Sequence, residues 1–178
     1  YVLIGTVSSN SRTCSMFFIP GRRLKGSLPA PSQVEKEIAA NLSKHVWTLA
    51  GTIGPRSLTS APDNLEKAAT YIEEVFGKFS YALKTQEYTA ETQSMSGRKV
   101  SEHAITFPTI EHQTRNIIAE RTGTRASNEI LIVGAHYDFV YDCPAANDNG
   151  SGVAVLLELA RLLETESFGK TVRLAAFT

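Results

Sequence analysis

The stretch EILIVGAHYDFVYDCPAANDNGSGVAVLLELARLLE, Glu129 to Glu164, decides how this chain is read. Its opening EILIV is a continuous apolar run bounded by turn-forming residues, the pattern of a strand buried on both faces in a parallel sheet. Its closing SGVAVLLELARLLE is a helix apolar nearly all round, with Glu158, Arg161 and Glu164 marking a narrow wet side. Such a helix packs tightly against a sheet. Just beyond, TVRLAAFT reads as a second buried strand. Strand, loop, helix and strand make a βαβ unit, so the fold class is α/β, and open α/β sheets carry their sites at the carboxyl ends of the strands.

His136 and Asp138 sit at that end of the first strand. Residues two apart along a strand share a face, so both side chains can point one way. That suits a metal ligand and its orienting partner: a neutral imidazole binds through one ring nitrogen while a carboxylate holds the N–H of the other. Asp148 opens the Asp-Asn-Gly-Ser-Gly turn before the helix, from where its carboxylate can return to the strand end and bridge two cations. Gly150 and Gly152 permit close backbone approach. Taken singly, Asp148 is better explained as a helix cap and His136 as a satisfied core histidine. Together, at one strand end, they favour a metal site.

The remaining sequence frames this unit. Eighteen basic and eighteen acidic side chains balance to zero net charge, which argues against a nucleic-acid surface or a polybasic membrane patch. Cys14 and Cys143 form no CxxC spacing, so a thiolate zinc site is disfavoured, while a disulfide and two free thiols both stay open. No apolar run reaches membrane-span length. The short YVLIGTV at the start fits either the tail of a signal or anchor or a strand, and both chain ends read as those of a fragment. Residues 1–31, broken by Pro20, Gly21, Gly26, Pro29 and Pro31, form an irregular leader or linker. A helix comes next, from about Gln33 to Leu49, opened by the Ser32–Glu35 capping box, striped by Val34, Ile38, Leu42, Val46 and Leu49, and ended by Gly51. His45 is a helix-surface histidine. In the loop IGPRSLTSAP, Arg56 anchors the backbone through its guanidinium fork or is solvated; the anchor is favoured. A second helix begins near Pro62, with Leu65, Ala68, Ile72, Val75 and Phe76 as its stripe. YALKTQEYTA reads as an edge strand and RNIIAER as a short one. The polar stretch between them has no firm period, and its His103 and His112 are taken as surface residues.

GAHYD followed by AANDNGSGVAVLLELARLL resembles the zinc-dependent aminopeptidases of the co-catalytic two-metal exopeptidase type. The likeness extends through IGPRSLTSAPDNLEKAATYIEE and RNIIAER into VRLAAFT, most of Leu42 to Thr178. It implies a three-layer sandwich with a mixed, mainly parallel central sheet, of which residues 32–178 would be the amino-terminal part. It also implies His136 as a ligand of one zinc, Asp148 as the carboxylate bridging two, Asp138 as the residue orienting His136, and a cis peptide at Asp148–Asn149. Metal-assisted hydrolysis at peptide N-termini is implied by the same resemblance, as is a secreted, periplasmic or membrane-anchored location. Ala145 departs from it, standing where relatives often carry Gly. The general-base Glu, a Glu ligand beside it, and later acidic and His ligands are not in this sequence, so the 178 residues alone are expected to be inactive. A single-zinc glutaminyl cyclase and a non-catalytic receptor of the same fold are the alternatives.

Overall fold

The computed structural model describes residues 26–93, 98–101, 104–106, 109–140 and 142–178. Cys14 and His103 lie outside them, as does most of the 1–31 segment. The described helices and strands belong to the unit from Ser32 to Thr178.

Helix α1 spans Gln33–Val46 and opens on the expected capping box: Glu35 N–H donates to Ser32 Oγ, and Ser32 N–H donates to the Glu35 carboxylate. That hydrogen bonding holds the Glu35 carboxyl below its usual range. The helix does not stop at Gly51. It continues through a π-helical segment, Trp47–Ile53, and ends at Gly54, whose φ of 85° takes the chain out of the helix. Gly51 has another use: a Cβ there would lie 2.9 Å from Cδ2 of the Trp47 ring, so its bare backbone lets that ring lie flat against it. The apolar stripe of α1 is covered at one end only, with Leu49 buried and Val34 exposed.

Helix α2, Pro62–Phe76, buries Leu65, Ala68, Ala69, Ile72, Val75 and Phe76, a continuous face at helical spacing. The strand β1 runs over Ala82–Gln93 at the edge of the sheet. The unperiodic stretch after it is a hairpin, β2 (Arg98–Ser101) with β3 (Ala104–Thr106). It leads into β4, Thr109–Arg121, which pairs antiparallel with β1 from Gln93↔Thr109 to Ala82↔Glu120. The short RNIIAER strand is therefore the inner end of a much longer one.

Strand β5, Ala126–His136, leads through a loop into helix α3, Ser151–Leu162, and thence to β6, Lys170–Phe177. The main sheet is mixed, in the order β1-β4-β6-β5, with β5 and β6 parallel and the other pairs antiparallel. Register sorts its two faces. Ile117 and Ala119 of β4 and Val172, Leu174 and Ala176 of β6 pack with Ala135 of β5 against α2 and α3 as one apolar core. The opposite face carries Ile118, Glu120, Arg173, Ala175, Ile132 and Phe177, and no described helix covers it.

Two expectations are corrected here. EILIV is not buried on both faces: β5 is an edge strand among the described residues, and Ile130, Leu131 and Ile132 are exposed by 43%, 56% and 61%. A continuous apolar run reports what a strand can bury, and among the described residues nothing pairs with the outer side of β5. Nor does Glu158 mark the wet side of α3. It is buried against α1, where Asn41 and Arg161 donate to its carboxylate, and Val155 is exposed instead.

Candidate metal centre

The loop between β5 and α3 begins on His136, the last residue of β5, which lies opposite Phe177 in register. Tyr137 N–H donates to Phe177 O at 2.9 Å, and the Tyr137 hydroxyl donates to Arg115 O at 2.7 Å, so the strand end is held from both sides. The His136 and Phe177 rings lie 6.4 Å apart. Gly134 makes room for this: a Cβ there would stand 3.0 Å from the Phe177 ring.

Both nitrogens of the His136 imidazole face acidic residues. Nδ1 lies 3.2 Å from Asp138 O and 3.3 Å from Asp138 Oδ1; Nε2 lies 3.0 Å from Asp148 Oδ1. A neutral imidazole carries one N–H. With that hydrogen on Nδ1 for Asp138, Nε2 directs a lone pair toward the Asp148 carboxylate, the arrangement of two metal ligands; with it on Nε2, the contact to Asp148 is an ordinary hydrogen bond. An imidazole nitrogen and a carboxylate oxygen converging on one point, with a carboxylate behind the far ring nitrogen, fit the donor chemistry of zinc. Among the described residues no group of three or more His, Cys, Asp or Glu side chains converges on such a point, so this is a partial ligand set.

Asp148 reaches His136 because its neighbour does the capping. Asp148 and Asn149 have non-helical backbone angles inside the kinked turn Ala146–Gly150, and the peptide bond between them is cis, as the resemblance implies. Gly152 N–H donates to Asn149 Oδ1 at 3.1 Å, capping α3 and freeing the Asp148 carboxylate for the strand end. Gly152 is required there, since a Cβ would stand 2.2 Å from Asn149 Oδ1. The simple cap reading of this turn belongs to Asn149. Ala145, before the kink, adopts the left-handed conformation at φ 49° and ψ 49°, and its carbonyl accepts from Gly150 N–H.

Arg56 is the residue of this region whose reach sequence reasoning understated. It is fully buried and faces no carboxylate at hydrogen-bond distance. Nε donates to Tyr137 O, Nη1 to Leu49 O, Gly54 O and Pro144 O, and Nη2 to Ala145 O, at 2.7–3.1 Å. Its own carbonyl accepts from Phe139 N–H at 2.7 Å. Desolvation lowers its pKa, opposed by the nearby Cys143 and Asp138. The only sequence cue was a lone charge in a Gly- and Pro-bounded loop. The other described histidines stand apart from the site: His45 Nδ1 meets the Tyr71 hydroxyl at 2.6 Å, and His112 Nε2 meets Thr92 Oγ1 at 3.0 Å.

The fold is thus an α/β layer in which one strand end brings an imidazole and two acidic residues together. Residues 116–178, which contain His136, Asp138 and Asp148, match the model of peptidase family M28. The chain is 34% identical over 155 residues to the uncharacterised protein YfbL of Escherichia coli K12, covering 83% of this chain and 41% of that one. It is 51% identical over 49 residues to aminopeptidase YwaD of Bacillus subtilis, covering 28% of this chain and 11% of that one. In fold it matches an aminopeptidase from Aneurinibacillus sp. strain AM-1 with a TM-score of 0.64 at 17% identity, over 78% of this chain and 62% of that one. Porphyromonas gingivalis glutaminyl cyclase matches with a TM-score of 0.53 at 28% identity, over 78% of this chain and 44% of that one. The chain therefore spans well under two thirds of these curated relatives.

Proposed function

We propose that this chain supplies the strand-end half of a two-zinc centre in a metallopeptidase that removes residues from peptide N-termini. His136 would bind one zinc through Nε2, Asp148 would bridge the two ions, and Asp138 would hold Nδ1–H and so fix the tautomer. The observation that carries this reading is the imidazole flanked on both nitrogens by acidic residues at a strand exit. Residues 32–178 would be the amino-terminal part of the catalytic domain and residues 1–31 a leader or linker. When bound, zinc would supply Lewis acidity toward the scissile carbonyl and lower the pKa of its water. The chain's own residues hold and orient: Asp138 keeps the ring from turning, and Phe177 covers one side of it.

A catalytic zinc takes three protein ligands, and two facing ligands are described here. Zinc binding by the 178 residues alone is therefore expected to be weak, and peptide turnover absent. A secreted or anchored setting is part of the proposal, supported by a 46% identity over 56 residues to a probable lipoprotein aminopeptidase, LpqL, of Mycobacterium tuberculosis. No described helix is long and apolar enough to cross a membrane. Titration of zinc against a chromophoric chelator tests the site. His136→Ala and Asp148→Asn should each remove the measurable binding, and undiminished affinity in both would reject these ligands.

The shared fold of the glutaminyl cyclase favours a second reading, cyclisation of N-terminal glutamine at one zinc. A protein extended through the remaining ligands separates the two. Release of leucine from Leu-p-nitroanilide supports the peptidase. Conversion of a Gln-initiated peptide to its pyroglutamyl form, without residue release, supports the cyclase.

A further inference from the structure

We infer that Arg56 is a positioning residue for the metal centre: its guanidinium sets the spacing between His136 and Asp148 by tying both flanks of their loop to the end of the first helix. This rests on the metal reading of those two residues and deepens it. One tie falls on Tyr137 O, between His136 and Asp138; two fall on Pro144 O and Ala145 O, just before the turn that carries Asp148. The fixed ends are Leu49 O and Gly54 O, in the π-helical segment and at its exit. A planar fork with five N–H groups can join three chain segments at once, whereas a lysine ammonium has three donors and no fork.

The surroundings are shaped to this fork. Ala145 takes the left-handed conformation, and its carbonyl receives both Arg56 Nη2–H and Gly150 N–H. A Cβ on Gly150 would stand 3.0 Å from that carbonyl and 3.6 Å from Nη2. Phe139 N–H returns a bond to Arg56 O, so the segment after Asp138 is gripped by the arginine's backbone as well as by its side chain. An ordinary structural anchor would need one or two such bonds. Here the chain that follows His136 and the chain that precedes Asp148 are both tied to one side chain.

The test compares Arg56→Lys with Arg115→Ala in the same chain, by zinc titration and by hydrogen-exchange mass spectrometry well below each melting temperature. The Arg115 side chain joins α2 to β4 through Glu66 and Glu73, and alanine keeps the carbonyl that accepts from Tyr137, so this substitution weakens the fold while leaving the loop's bonds in place. Removing a residue that orients metal ligands typically costs about 10–100-fold in affinity. Arg56→Lys should lose that much and expose residues 139–150 to faster exchange, while Arg115→Ala keeps both near wild type. Wild-type affinity in Arg56→Lys, or an equal loss in Arg115→Ala, overturns the inference. Should Arg56→Lys fail to fold, the wild-type protein decides. Its Phe139 and Gly150 amides should exchange only through global unfolding, and exchange through local opening overturns the inference. Absence of zinc binding by wild type, with loop protection still lost in Arg56→Lys, rejects the metal reading and leaves the positioning role intact.

Discussion

At residue scale, adjacent side chains in the turn divide two tasks. Asn149 caps α3, and Asp148 turns back to His136. Asn149→Ala should remove the cap and cost about 1 kcal/mol, the usual worth of an N-cap, read as a lower midpoint in urea. A midpoint unchanged from wild type would show that Asn149 does not cap. Ala145 is the reverse case. Its φ of 49° is one that L-residues adopt at a cost of about 1–2 kcal/mol, at the position where the resemblance would put Gly. Ala145→Gly should therefore stabilise the chain by up to about 1 kcal/mol, after the extra unfolded-state entropy of glycine is subtracted. The same urea measurement checks it, and destabilisation would mean that the methyl group packs usefully.

At the scale of elements, the α1–α3 contact is polar where the sequence suggested a wet surface. Glu158 is buried there; despite the opposing desolvation, its bonds from Arg161 and Asn41 hold its carboxyl below the usual range. His45, nearby on α1, is pushed below its ordinary 6.5, chiefly by desolvation and against the attraction of Glu158. A depressed histidine pKa means that the unfolded chain binds more protons in that window, so stability rises with pH there. The contribution is complete above about 6.5 and is lost as pH falls through the folded value. His45→Gln should flatten the pH dependence of the melting temperature just below neutrality, and an unchanged slope would assign that dependence elsewhere. Legibility followed the same division. α2 was readable because its stripe repeats at helical spacing and is all buried. The β2–β3 hairpin was not, because RKVS and AIT are too short to set up a period that a sequence can show. Of the candidate site, the sequence placed His136 at a strand end and Asp148 in the turn before a helix, and the structure brings the two within 3.0 Å. Arg56 was not legible in full, since its partners are backbone carbonyls, which every residue carries.

At the scale of the whole molecule, one face of the main sheet and the outer edge of β5 are open among the described residues. Ile130, Ile132 and Phe177 are exposed by 43%, 61% and 41%, beside unpaired strand backbone. Such an edge invites pairing with another chain. The 178-residue chain should self-associate in a concentration-dependent way, and Ile132→Lys should reduce this in sedimentation velocity. A wild-type monomer at all concentrations would contradict it.

The Arg56 cluster has a consequence for the order of events in folding. Its bonds to Tyr137, Pro144 and Ala145 span 81, 88 and 89 residues of chain. Contacts so distant in sequence close only after large loops have been ordered, and such contacts are slow to form. His136 and Asp148 are then brought together late, on a sheet and helices already in place. Arg56→Lys should consequently accelerate unfolding while leaving the refolding rate nearly unchanged, the behaviour of a side chain whose bonds are absent from the transition state. Equal slowing of refolding would instead place the cluster in the nucleus.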